Sequence, residues 1–151
     1  MPLQRCTVHN HRTLLAHAPK TRHDEIRLDD TDLIYAKTGQ EVEAKHQAFI
    51  RKGRLKCPAV ANSLEEAGPN LFTFLRYPPE QWKSIRTTNA IERLHEEFKR
   101  RSKTQCRLPC AETAGMLFWA LLASGQITLR RVDGWDTLHV APTDKPLDLA
   151  A

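Results

Sequence analysis

Residues 108–125, LPCAETAGMLFWALLASG, constrain this chain more than any other stretch. Pro109 suits a first helical position and Gly125 a helix end, so the run reads as one helix. Leu117, Phe118, Leu121 and Leu122 leave it little polar face, and a helix of that kind is expected to be mostly buried. The remaining residues must then supply the cover. With 151 residues and 40% hydrophobic content, a domain with a core is within reach and wholesale disorder is not expected. Only residues 3–8, LQRCTV, alternate like a strand, while residues 126–132, QITLRRV, read either as a strand or as more helix. A lone strand has no partner for its backbone groups, so an independent α/β domain is not expected.

The other segments read as helices and turns. HNHRTLLAHAP is a short helix stopped by Pro19. TRHDEIRLDDTDLIYA is a helix burying Ile26, Leu33 and Ile34. TGQEVEAKHQAFIRKG is a third, burying Val42, Phe49 and Ile50. PAVANSLEEAG opens on Pro58 at a first helical position and closes on Gly68 as a cap. PNLFTFLRYPP is an apolar turn or short helix ended by Pro78 and Pro79. The polar tail beyond Trp135 is expected to fray.

Charge is concentrated. Lys83, Arg86, Arg93, Lys99, Arg100, Arg101, Lys103 and Arg107 face only Glu92, Glu96 and Glu97, so this segment carries the whole net charge of +5. A basic segment on a neutral body points to a polyanion, nucleic acid first. The alternative is a solvated helix face with ion pairs such as Glu96 with Arg100. The longest apolar run, near residues 114–123, is too short to span a bilayer, and the N-terminus turns polar within a few residues. No membrane partner and no signal peptide are expected, and the expected location is cytoplasmic. Cys6, Cys57, Cys106 and Cys110 form no CxxC pair, and reduced thiols are expected.

The basic segment opens on RTTNAIERLHEEFKRRSK. Asn89 is a strong N-cap residue, and Glu92 three positions on completes a capping-box spacing. Ile91, Leu94, His95 and Phe98 form the stripe expected to be buried. Capping accounts for Glu92 structurally. The competing reading makes it a metal ligand, with its carboxylate on a hard divalent cation and the basic cluster two turns later on a phosphate backbone. Such chemistry needs further carboxylates, which local sequence does not supply.

FLRYPPEQWKSIRTTNAIERLHEEFKRR followed by ETAGMLFWALLASGQITLRRVDGW resembles the C-terminal part of mutator-type transposases of bacterial insertion sequences. LQRCTVHNHRTLLAHAP is similar to their QRC-x-VH-x-x-RN-LL segment, and DLIYA and PAVANSLEEAG fall in the right order, so the resemblance runs from Leu3 to Trp135. It implies an α/β, predominantly helical chain, the C-terminal part of an RNase H-like DDE transposase core with its helical insertion. Residues 1–8 would be the last core strand, 9–82 the insertion and its approaches, 83–135 the C-terminal core helices and 136–151 a tail.

The resemblance also implies metal-dependent DNA strand cleavage and transfer. Two aspartates and a glutamate would hold Mg²⁺ or Mn²⁺, with Glu92 as the glutamate. It maps the N-x-x-E … R-R pattern onto Asn89, Glu92, Arg100 and Arg101, and gives Glu96 and Glu97 no catalytic role. The implied partner is DNA, both element ends and target, with a nucleoid location. Lys83, Arg86, Arg93, Lys99, Arg100, Arg101 and Lys103 would contact it, through about six to eight phosphates and a log–log salt slope near −5 to −7. Trp82 matches a tryptophan expected before the catalytic helix. Cys6 and His9 match a C-x-x-H feature. They read either as half of a zinc site completed by His11, His17 or His23, or as a packed cysteine beside a hydrogen-bonded histidine.

The two aspartates of the family pattern would lie upstream of QRC, and Asp24, Asp29, Asp30 and Asp32 fall within the insertion. One acid of three is therefore expected here, with most of the core sheet missing and the helix at 109–124 short of cover. Alone, the chain is expected to be inactive in cleavage, and to fold poorly, self-associate or associate with a full-length transposase. The alternatives are a non-enzymatic DNA-binding or inhibiting fragment and a decayed remnant.

Overall fold

The computed structural model describes residues 3–103 and 110–143. These fall into two compact units, residues 3–87 with 133–143 and residues 88–132 less the undescribed 104–109. Among the described residues there are helices and turns and no strand.

The first unit is built on α1 (Thr7–Ala16), α2 (His23–Ile34), α3 (Gly39–Lys56) and α4 (Pro58–Ala67), with a single-turn α5 (Trp82–Ile85). Ile26, Leu33 and Ile34 of α2 and Val42, Phe49 and Ile50 of α3 are buried, as their spacing predicts. With Leu14, Val60, Leu64, Leu71, Phe72 and Phe74 they form one core. Thr38 starts α3 by accepting the Glu41 amide at 3.2 Å, and the Glu41 carboxylate reaches back to the Lys37 amide at 2.9 Å. Pro58 opens α4, and Gly68 closes it at φ +58°, a conformation only glycine adopts without strain.

The strand expected at residues 3–8 is not formed. Cys6 is extended, and Thr7 already opens α1. The physical reason is the one that made a lone strand improbable: its backbone finds other partners. The Arg5 amide donates to the Asn70 carbonyl at 2.8 Å, and the Thr73 hydroxyl donates to the Leu3 carbonyl at 2.6 Å. The Gln4 side chain accepts the Phe74 amide at 2.7 Å and donates to the Leu71 carbonyl at 2.9 Å. The 3₁₀ turns Pro69–Leu71 and Thr73–Arg76 thus stand in for a neighbouring strand.

Nor does the chain fray at Trp135. The 3₁₀ turn Trp135–Thr137 and its flanks pack on the first unit. Gln81, buried, donates to the carbonyl and hydroxyl of Thr137 at 2.8 and 2.9 Å. Arg76 and Thr143 exchange backbone and side-chain hydrogen bonds at 2.7 Å. Residues 144–151 of the expected tail lie outside the described residues.

The second unit contains α6 (Asn89–Ser102) and α7 (Ala111–Ala123). Pro109, Cys106 and Arg107 lie outside the described residues. Phe98 stacks on Phe118 with ring centroids 4.3 Å apart. Residues 126–132 form neither strand nor helix, though the Ile127 amide donates to the Leu121 carbonyl at 3.1 Å. The expectation that α7 is mostly buried fails. Leu121 is its buried side chain, while Met116 and Trp119 are 73% and 72% exposed. The stripe on α6 fares likewise: Leu94 and Phe98 are half-buried, and Ile91 and His95 are exposed. Two helices cannot enclose apolar surface on both, and among the described residues this unit has no third layer.

Candidate functional site

Helix α6 carries most of the residues singled out by sequence. Its start lies one residue earlier than the capping pattern predicts. Thr88 is the N-cap and Asn89 the first helical residue, so the expected capping box is not made. Glu92 instead sits one full turn after the cap. Its amide donates to the Thr88 carbonyl at 2.9 Å, and its carboxylate accepts the Thr88 hydroxyl at 2.6 Å. An acid in the first turn suits the positive end of the helix dipole. The carboxylate is exposed.

Among the described residues, no three His, Cys, Asp or Glu side chains come together to hold a metal ion. Mg²⁺ takes octahedral oxygen coordination and uses one or two carboxylates with waters and phosphates. Glu92 fits as one such donor. It does not make a catalytic metal centre by itself, and no chemical step through a metal follows from these residues alone.

The far end of α6 is cationic. Arg93, Lys99, Arg100 and Lys103 are exposed and Arg101 is half-buried. The counter-charge is Glu97, not Glu96. The Glu97 carboxylate accepts from both Arg100 and Arg101, three and four residues on, and Arg101 also donates to the Gln126 carbonyl. The i,i+3 and i,i+4 spacing from Glu97 was there to be read in the sequence.

The two remaining predicted DNA ligands belong to the first unit. Lys83 is exposed, with Asp133 at 3.7 Å. Arg86 lies with its guanidinium 4.2 Å from the centroid of the Tyr35 ring, a cation–π contact that no local pattern in the sequence signals. Trp82 is part of the core margin. It meets Phe74 edge-on at 5.7 Å and donates its indole N–H to the Tyr77 carbonyl at 2.7 Å.

Cys6 caps α1 and His9 is exposed on its first turn. Two of the three histidines named to complete a zinc site have other partners: His11 Nδ1 lies 2.6 Å from Asp30, and His23 Nε2 3.1 Å from the Ala18 carbonyl. Burial pushes the Asp30 carboxyl up from its ordinary range, and the hydrogen bond and charge of His11 oppose that. The pair is a buried polar tie between α1 and α2, and sequence reading missed it because its members are nineteen residues apart.

The geometry thus leaves an exposed acid at one end of α6 and exposed cations at the other. The family model for "Transposase, Mutator family" matches residues 1–128. This chain belongs to the mutator family of insertion-sequence transposases. It is 32% identical over 119 residues to the transposase of insertion sequence element ISRM5 from Rhizobium meliloti (strain 1021), covering 78% of this chain and 30% of that protein. It is 34% identical over 89 residues to the IST2 transposase of Acidithiobacillus ferrooxidans, covering 59% and 30%. Against the IS905 transposase of Lactococcus lactis subsp. lactis (strain IL1403) the identity is 34% over 110 residues, covering 72% and 28%. The chain therefore spans about 30% of the length of these curated transposases. No solved structure matches it. As a transposase-family chain it has no helix, among the described residues, long and apolar enough to cross a membrane.

Proposed function

We propose that this segment serves DNA transposition of an insertion sequence by supplying the third acidic residue of a DDE-type, RNase H-like catalytic core. In this reading Glu92 is one of the carboxylates holding Mg²⁺ or Mn²⁺, and two aspartates from outside the segment are the others. When bound, the metals would activate the attacking oxygen and stabilise the leaving one in phosphodiester cleavage and strand transfer. The segment's own part is to hold Glu92 on the first turn of α6 and to engage DNA phosphates through Arg93, Lys99 and Lys103, with Arg100 and Arg101 joining to the extent that Glu97 releases them. The observation that carries the reading is the exposed Glu92 carboxylate on the same helix as an exposed basic end.

The test uses a complete transposase containing this segment. Glu92→Gln is expected to abolish Mg²⁺-dependent nicking of element-end DNA while leaving DNA affinity within about two-fold, because the substitution removes a metal ligand and no phosphate contact. Nicking that survives in Glu92→Gln refutes the assignment. The 151-residue chain alone is expected to show no metal-dependent nicking, since Glu92 is its single candidate.

The uncovered Met116 and Trp119 favour a second reading, in which the segment associates with itself or with an intact transposase and inhibits it. Sedimentation of mixtures distinguishes the two: a concentration-independent monomer that forms no mixed species removes this reading.

A further inference from the structure

We propose that Tyr35 and Arg86 form a platform for an unpaired nucleotide of DNA, the tyrosine ring stacking on the base and the guanidinium taking an adjacent phosphate. The proposal rests on the DNA-binding part of the reading above, which it extends to the first unit, and is independent of the role of Glu92.

Both residues belong to the first unit. Tyr35 follows the buried Ile26 by about two and a half helical turns, so it leaves the end of α2 on the side away from the core. It is 63% exposed. Arg86 ends α5, and its backbone is held on both sides. Its amide donates to the Trp82 carbonyl at 3.1 Å, and its carbonyl accepts the amide and the hydroxyl of the buried Thr7 at 2.8 and 3.0 Å. From this anchored backbone the half-buried side chain lays its guanidinium 4.2 Å from the centroid of the Tyr35 ring.

Stacking occupies the flat face of a guanidinium and leaves its N–H donors pointing outward in the plane. Arg22, Arg54 and Arg100 direct theirs to Glu25, Glu65 and Glu97. Among the described residues, no carboxylate or carbonyl takes those of Arg86. A half-buried cation with open donors and no counter-charge favours an anion, and a planar fork of donors suits a phosphate.

The ring adds what a phosphate site does not need. Arg86 covers one face of Tyr35, and a side chain this exposed keeps its other face open to solvent. An open aromatic face is where a nucleobase stacks. Inside a duplex, neighbouring bases already cover both faces of each base. The platform is therefore filled by a base out of the stack, as in a single strand.

The experiment follows fluorescence anisotropy of a labelled single-stranded oligodeoxythymidine, and of a labelled duplex of the same length, titrated with the 151-residue chain. Circular-dichroism melts are the folding control. Tyr35→Ala is expected to weaken single-strand binding about five-fold or more, the lower end of what one stacked base contributes, and duplex binding by less than about two-fold. Tyr35→Phe keeps the ring and is expected to keep native affinity for both. Arg86→Gln is expected to reduce the log–log salt slope on the single strand by about 0.7, the loss of one phosphate contact. Should Tyr35→Ala lower the Tm, Tyr35→Leu, which keeps bulk and removes the aromatic face, carries the same expectation.

Equal weakening on single strand and duplex overturns the proposal, because it makes the pair a backbone contact without a base. So does single-strand affinity unmoved by loss of the ring, Tyr35→Phe behaving like Tyr35→Ala, an unchanged slope in Arg86→Gln, or a parent chain that does not bind the single strand. Failure of the Glu92 reading shows elsewhere, as nicking retained by Glu92→Gln in the complete transposase, and leaves these binding results standing.

Discussion

Glu97→Gln is the substitution on which the geometry of α6 makes its sharpest demand. Glu97 accepts from both Arg100 and Arg101, so two of the helix's cations are partly neutralised before any DNA arrives. Arg93, Lys99 and Lys103 are the exposed cations left to meet phosphates, about three contacts, which give a log–log slope of affinity against salt near −2.7. Removing the Glu97 carboxylate releases Arg100, whose side chain is 68% exposed. It releases Arg101 only in part, because the Gln126 carbonyl still holds it. One to two further contacts take the slope to about −3.6 to −4.5. Between 50 and 200 mM salt, the loss of affinity then grows from about 40-fold to about 150- to 500-fold. The control is Glu96→Gln, which changes net charge equally and frees no arginine. Glu97 and Arg101 are half-buried, so circular-dichroism melts of both variants serve as the folding control. Fluorescence anisotropy on a labelled duplex measures both slopes. Equal slopes for Glu96→Gln and Glu97→Gln would show that the arginines are not held back by Glu97, and a flat response in the parent chain would remove α6 from DNA binding altogether.

Two further predictions concern the first unit. The Lys56 and Lys52 ammoniums hold the Glu25 carboxyl down at about 2, so its contribution to stability is present above the unfolded value near 4.5 and is lost as pH falls towards 2. The Tm difference between the parent and Glu25→Gln is therefore expected to be largest near pH 6, to vanish near pH 2, and to shrink with added salt, as acid melts followed by circular dichroism would show. Gly134 sits at φ +71°, and a Cβ there would lie 2.8 Å from backbone atoms of Glu80 and Gln81. Gly134→Ala is expected to release residues 133–143, with a loss of about 1–3 kcal/mol and new proteolytic sites there, and an unchanged digest would contradict that packing.

What the sequence disclosed about the fold was the part governed by local periodicity and punctuation. Ile26, Leu33, Val42 and Phe49 recur at helical spacing, and Pro58 and Gly68 bracket a helix, so α2, α3 and α4 were legible before any coordinates. Residues 3–8 were not, because alternation over six residues does not say what lies beside the chain. Gln4 and Arg5 find their partners some seventy positions away, at Asn70, Leu71 and Phe74. The docking of residues 133–143 through Gln81, Ser84 and Arg76 was hidden for the same reason. A polar tail satisfied by distant carbonyls has the same composition as one satisfied by water.

The candidate site shows a different limit. Local sequence offered a complete structural account of Glu92 as half of a capping box, and one residue of shift in the helix start undid it. With Thr88 as the cap, Glu92 moves from the third helical position to the fourth, where its carboxylate accepts the Thr88 hydroxyl. A carboxylate offers about four acceptor sites, and this one is open to solvent. That exposure gives a metal-ligand reading physical room in this helix. Glu97 shares the helix and the charge, yet both of its oxygens are already taken by arginines. The distinction between a carboxylate for chemistry and a carboxylate for charge balance therefore lies in its surroundings, and here arginines hold Glu97 while the Glu92 carboxylate stands exposed to solvent.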